Sequence, residues 1–294
     1  MAVVRGLPRV FRDAKAILVE SMVWRDGTLF WCDISAGLLH GSRSGDPDDG
    51  RLDAFIELPP PLASFAPAAS GGFVASLGDR IVRTDLDGTI LETLAQIPHA
   101  RDGLRLNEGK CDPYGRWITG SMVLTDPDVP DGALYSLAPG GELRVLRGGF
   151  GVANGFEWSL DDSEMYFTDT AVKTIYRAPY SAEGELGEPV VFHSGESHDG
   201  LTIDAEGCLW SGIYAGAKVV RYAPDGTEDL SIELPAPNIT SVAFGGEDMS
   251  TLFIGSAREN LTEQQLEQYP LAGSIFAIET TTHGRAVREF GSKA

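Results

Sequence analysis

The sequence predicts an all-β fold, a six-bladed β-propeller with four-stranded antiparallel blades, and residues 1–294 are expected to form a single domain of this kind. Three observations predict it. Six segments repeat one plan: a turn bearing Gly or Asp, a short aromatic and branched run, another turn, and a second short apolar run. Their markers Phe30, Phe73, Trp117, Tyr166, Leu209 and Phe253 lie about 43 to 49 residues apart, the length of a blade of four strands. Val, Ile, Thr and aromatic residues fill the short runs, while Gly, Asp, Asn and Pro collect between them.

Taken in order, the segments read "DGTLFWCDISAGLLHG", "GGFVASLGDRIVRTDLDG", "YGRWITGSM" continuing to "GALYSLAPGG", "SEMYFTDTAVKTIYRAPY", "EGCLWSGIYAGAKVVRYAPDG" and "STLFIGSA" continuing to "GSIFAIET". The clusters "PDDG", "LDG", "PGG" and "PDG" are hairpin signals, because these residue types tolerate the positive φ or local hydrogen bonding that a tight turn needs. A radial array leaves few open strand edges, and a strand near "RVFRDA" is expected to complete the last blade. Only "NLTEQQLEQYP" carries a helical pattern, read as a brief turn of helix in a loop. A two-sheet sandwich would not produce six similar intervals.

Forty-three acidic against 23 basic residues give a net charge of −20, which repels phosphate backbones and anionic lipid headgroups. The reading is of no nucleic-acid and no membrane partner, with a solvated acidic surface. "MAVVRGLPRVFRDAK" has no signal-peptide apolar region, and no run of about 18 apolar residues occurs, so a cytoplasmic protein is expected. Cys32, Cys111 and Cys208 lie far apart without CxxC spacing, as small buried hydrophobes do.

About ten to twelve residues before each marker, on the expected innermost strand, stand Glu20 in "VESMVW", Asn107 in "RLNEGKCD", Asn154 in "ANGFEW" and Asp199 in "HDGLTID". Blade two has Ala63 there, and blade six has Thr240 and Ser241. Equivalent repeat positions lie at equivalent radius and height, so two carboxylates and two amides converge at one mouth of the central channel. Two buried carboxylates in proximity call for a cation. All-oxygen ligation suits one divalent metal, Ca²⁺ or Mg²⁺, and such a site can also hold Mn²⁺ or Zn²⁺. Gly155 and Gly200 are expected to let the chain turn close to it.

"RLNEGKCDPYGRWITGSM", "ANGFEWSLDDSEMYFTDT", "HDGLTIDAEGCLW" and "IELPAPNITSVAFGG" resemble the senescence marker protein 30, gluconolactonase and luciferin-regenerating enzyme family, in order and over about residues 20–258. The resemblance implies a six-bladed propeller that hydrolyses lactones with one divalent metal, Glu20, Asn154 and Asp199 as ligands and Asn107 beside them. It further implies that Arg105 contacts substrate oxygens. Departures from the family pattern, Met22, Leu106 and Glu108, fall around the expected pocket and bear on the substrate, so Met22 and Glu108 join Arg105 and Asn107 as candidate substrate-binding residues.

The expected reaction is opening of a small sugar lactone such as gluconolactone or xylonolactone, with Asp199 as general base and Glu20 as the second candidate. His198 is expected to face away from the metal, because neighbours along a strand point to opposite sides. His99 and His193 are read as loop residues without function. No GxSxG, P-loop or HExxH occurs. Alternatives are a phosphotriesterase-like activity, an aromatic lactone suited to Met22, Leu106 and "SGIYAGAK", or a non-catalytic calcium binder. The expected partner is the small-molecule lactone alone, bound by a monomer or weak homo-oligomer.

Overall fold

In the computed structural model, which describes residues 3–43 and 54–292, strands β1 (Val4–Arg12) to β24 (Ile275–Thr280) form six antiparallel four-stranded sheets. The first is β2 (Val19–Arg25), β3 (Thr28–Asp33), β4 (Leu38–Arg43) and β5 (Ala54–Glu57); the second is β6 (Leu62–Pro67), β7 (Phe73–Leu77), β8 (Arg80–Thr84) and β9 (Ile90–Gln96). The third holds β10 (Leu104–Cys111), β11 (Trp117–Val123), β12 (Gly132–Leu137) and β13 (Leu143–Phe150), and the fourth β14 (Ala153–Trp158), β15 (Glu164–Asp169), β16 (Thr174–Pro179) and β17 (Val190–Ser194). The fifth holds β18 (His198–Ile203), β19 (Leu209–Ile213), β20 (Lys218–Tyr222) and β21 (Glu228–Glu233). The sixth is β22 (Asn238–Gly245), β23 (Thr251–Ala257), β24 and, as its outermost strand, β1.

The first strand of each sheet packs on the first strands of its two neighbours, β2 against β22 included, so the ring closes into a six-bladed propeller. Val10 of β1 stands opposite Phe276 of β24, and the expected closing strand thus joins the two ends of the chain in one blade. All six markers sit on the second strand of their blade. Apolar side chains fill the space between blades: Ile118 and Leu134 of blade three meet Phe156, Trp158, Met165 and Phe167 of blade four, all nearly solvent-free.

The turn chemistry explains the hairpins. Asp85 accepts from the backbone N–H of Asp87 and Thr89 in "LDG", and Asp225 accepts from Thr227 in "PDG". "PDDG" lies outside the described residues. The helical turn is α1 (Glu263–Gln268), started by a capping box between Thr262 and Gln265. His193 belongs to β17 rather than to a loop, a correction that follows from how short and exposed that outer strand is. The three cysteines are free and buried.

A C-terminal segment, residues 283–291, crosses the end of the channel where the first strands finish. His283 accepts from Ala205 N, Gly284 N donates to Met249 O, and Arg285 reaches Glu157 at 2.6 Å. Glu289 pairs with Arg25 at 2.7 Å, Phe290 N donates to Pro67 O, and Gly291 N donates to Gly115 O. One strap therefore touches all six blades and leaves the opposite end as the open mouth.

Candidate metal centre and its mouth

Every first strand carries a register irregularity at the same place: Glu20/Val23, Leu62/Ser64, Leu106/Gly109, Asn154/Phe156, His198/Leu201 and Ile239/Val242. A β-bulge re-aims the side chains beside it. Here six of them turn the start of each first strand toward the axis, and Glu20, Asn107, Asn154 and Asp199 meet there with at most 7% of their surface exposed.

The amides are held in a directed chain. Arg105 Nη1 donates to Asn107 Oδ1 at 2.8 Å, and Asn107 Nδ2 donates to Asn154 Oδ1 at 3.0 Å and to Ala153 O at 3.1 Å. Asn154 Nδ2 donates to Thr170 Oγ1 at 3.1 Å, whose own hydroxyl donates to His198 O at 2.6 Å. Three blades are stitched together by these bonds.

The carboxylates are not matched in this way. Asp199 Oδ1 is buried without a hydrogen-bond partner, and neither Glu20 nor Asp199 forms an ion pair among the described residues. Burial first, then Asp199 and Glu108, holds the Glu20 carboxyl well above the usual range. Burial also raises Asp199, with Glu108 and Glu259 adding to it and Arg105 opposing. An orphaned carboxylate oxygen beside a second buried carboxyl and an amide oxygen is a donor set that fits a hard divalent cation.

The other predicted residues distribute along the channel. Glu108 accepts from Gly109 N at 2.7 Å and lines an axial cavity with Ser21, Ser241, Leu201 and Val287. Met22 lines that cavity too and continues into the next one beside Glu157 and Arg285, so it belongs to the channel interior and is not brought to Arg105. His198 turns into its own blade, with Nδ1 at 3.2 Å from Ser211 Oγ and its ring against Tyr222.

The glycines answer to packing between blades rather than to the metal. A Cβ on Gly155 (φ +29°) would collide with the carbonyl oxygen of Asp199, and one on Gly200 would stand 2.9 Å from Ser241 Cα. Sequence reasoning missed Thr170, Tyr214 and Glu259, all just beyond the ends of second strands, which surround the mouth. Their only sequence signal is that each follows within two residues of "YFTD", "LWSGI" or "FIGSA", a spacing too loose to single them out.

A second acidic group, Asp204, Glu206 and Cys208, lies at the strapped end. Arg221 pairs with Asp204 at 2.7 Å, with Glu206 at 2.6 Å and with Asp229, and Trp210 Nε1 donates to Asp204 at 2.9 Å. A guanidinium already neutralises that group, which makes it a blade staple.

Residues 18–258 match the family described as SMP-30/Gluconolactonase/LRE-like region. The chain belongs to this family. Its relatives include a 6-deoxy-6-sulfogluconolactonase of Pseudomonas putida, 36% identical over 92% of this chain and 94% of that protein. Regucalcin of Bos taurus is 32% identical over 88% of this chain and 89% of its own. Among solved structures, a calcium-binding protein, regucalcin, of Agrobacterium tumefaciens superposes with a TM-score of 0.88 at 26% identity, covering 99% of this chain and 100% of that one. Within the SMP-30/gluconolactonase family pattern the departures at Met22 and Leu106 are both buried and apolar, and neither falls on one of the four candidate oxygen residues.

Proposed function

We propose that this protein is a divalent-metal-dependent lactonase that opens a small sugar lactone, working as a single propeller domain. The observation that carries the reading is the unpartnered Asp199 Oδ1 beside buried Glu20 and the oriented Asn154 amide, in a chain related to a named sugar lactonase. Glu20, Asn154 and Asp199 would hold the cation, Ca²⁺ by preference, with Mg²⁺, Mn²⁺ or Zn²⁺ as substitutes and Asn107 as a fourth oxygen beside them. A cation there supplies electrophilic activation of the lactone carbonyl.

The chain's own residues do the rest. Arg105, pinned through Nη1 to Asn107 and to Leu106 O at 2.8 Å, keeps other guanidinium N–H groups for substrate oxygens. Asp199 accepts a proton from the attacking water, whose oxygen bonds to the carbonyl carbon; Glu20 is the second candidate for this base. The ring C–O bond then breaks, and the proton passes to the departing alkoxide, leaving a hydroxy acid.

No helix among the described residues is long and apolar enough to cross a membrane. The net charge of −20 disfavours nucleic-acid partners and fits a protein acting on a small molecule, and the reading keeps the expectation of a cytoplasmic monomer or weak homo-oligomer. The test is a pH-indicator screen of sugar and aromatic lactones on chelated protein, repeated after each metal is restored. Metal-dependent acid release that vanishes in Asp199→Ala supports the lactonase. Metal binding without turnover of any lactone favours the second reading, a calcium binder, for which the likeness to the calcium-binding regucalcin of Agrobacterium tumefaciens speaks.

A further inference from the structure

Each first strand is the edge of its sheet, and successive carbonyls of a strand point to opposite edges. At the mouth end Leu18 O, Val152 O and Ser197 O bond within their own blades, accepting from Ile34 N, Thr170 N and Tyr214 N. The next carbonyl on each strand therefore points away from its sheet. Each is taken up by a side chain of a neighbouring blade: Thr240 Oγ1 of blade six donates to Val19 O at 2.5 Å, Asn107 Nδ2 of blade three to Ala153 O at 3.1 Å, and Thr170 Oγ1 of blade four to His198 O at 2.6 Å. The residues that follow these three carbonyls are Glu20, Asn154 and Asp199.

The three bonds run the same way round the ring, from blade six to blade one, from three to four and from four to five. Asn107 and Thr240 stand at the register where blades one, four and five carry Glu20, Asn154 and Asp199. In blade four Asn154 itself fills that register, and Thr170 takes over the clamp: it accepts from Asn154 Nδ2 at 3.1 Å while donating to His198 O. Blade three shows the contrast, since Leu106 O ahead of Asn107 accepts from Arg105 of its own strand at 2.8 Å.

A clamped carbonyl bears on the residue after it because the peptide is planar. The C=O ahead of a residue shares a plane with that residue's N–Cα bond, so holding it sets φ and the direction in which Cβ leaves the strand. The bulges at Glu20/Val23, Asn154/Phe156 and His198/Leu201 interrupt the ladder just beyond these peptides, where another restraint is needed.

We propose that Thr240 and Thr170 are positioning residues of the metal centre, each hydroxyl clamping the peptide from which a ligand of the next blade departs, Glu20 in the first case and Asp199 in the second. This rests on the reading of Glu20, Asn154 and Asp199 as the ligands. Thr170 serves two of them, because it also holds the Asn154 amide.

Calorimetric titration of the chelated full-length protein with Ca²⁺, and again with Mn²⁺, tests this beside urea melts of the same chelated samples. Thr240→Val and Thr170→Val keep the shape of the side chain and remove its donor. Each is expected to weaken metal affinity by about tenfold or more, Thr170→Val by the larger factor, and Thr240→Ser and Thr170→Ser, which keep the hydroxyl, should restore most of it. Thr280→Val is the comparison for a merely structural hydroxyl: Thr280, the last residue of β24, donates to Ser250 O at 2.8 Å, and its loss should lower the urea midpoint without changing affinity. Wild-type affinity in both Val variants at Thr240 and Thr170 overturns the assignment, as does an equal loss of affinity in Thr280→Val. If wild type binds neither cation, or binds as tightly after Asp199→Ala, the metal reading itself fails and the clamps fall with it. Binding that Asp199→Ala abolishes but Thr240→Val and Thr170→Val leave untouched overturns the clamps alone.

Discussion

Asn107 donates its amide hydrogen to Asn154 Oδ1 at 3.0 Å, and Arg105 occupies one face of Asn107's own oxygen at 2.8 Å. Orientation thus flows from blade three to blade four, and the Asn154 oxygen is aimed by a residue of another blade. Asn107→Ala is expected to weaken metal binding by about 10- to 100-fold, the usual effect of losing a residue that orients a ligand. Calorimetric titration of the chelated protein reads it directly; an unchanged affinity would mean Asn154 needs no such support.

Two buried, unpaired carboxyls strain the metal-free protein. Asp199→Asn should raise the melting temperature of the chelated form, since it relieves the repulsion with Glu20 and Glu108, and abolish the further rise that metal produces in wild type. At metal concentrations of 100 Kd the gain expected for wild type is about 2.7 kcal/mol. A variant that melts lower without metal and still responds to it would remove Asp199 from the ligand set.

At the strapped end a buried carboxylate is paired rather than orphaned. Burial alone would push the Glu157 carboxyl up, but Lys110 at 2.8 Å and Arg285 at 2.6 Å outweigh it and hold it at about 2. A folded value below the unfolded one means stability present above about pH 4.5 and lost as the pH falls toward 2. The contribution is on the order of 3 kcal/mol at neutral pH, from the same linkage. Glu157→Gln should lower stability at pH 7 and flatten the acid limb between these values in denaturant melts.

Removing the strap after Thr282 deletes contacts to all six blades at once. The truncated chain is expected to unfold at a lower urea midpoint, with Arg285→Ala reproducing part of the loss. Equal midpoints for wild type and truncation would show that β1 alone closes the ring.

Gly155→Ala places a methyl against the Asp199 carbonyl and asks for a positive φ from alanine, and a loss of about 1–3 kcal/mol is expected. Because that carbonyl belongs to a candidate ligand, metal affinity should fall together with stability. A stable variant with normal affinity would sink the packing account of this glycine.

The four converging oxygen residues were legible in the chain because a propeller converts similar spacing into similar radius: Glu20, Asn107, Asn154 and Asp199 needed only their place ten to twelve residues before Phe30, Trp117, Tyr166 and Leu209. Met22 was misleading. It is adjacent to Glu20 through Ser21, yet the bulge sends it down the channel instead of to the mouth. Thr170 carried no local pattern, since what matters is that it stands between Asn154 and the His198 carbonyl of the next blade.

The sequence by itself determined the number of blades, the strand that closes them, and which strand positions face the axis, because these depend on periodicity and turn chemistry within each repeat. Only the tertiary structure decided which amide oxygen points inward, why Gly155 and Gly200 must lack a side chain, that Arg221 neutralises Asp204, and that residues 283–291 seal one end. Those features are contacts between blades, set by angles and distances around a ring, and no repeat contains them on its own.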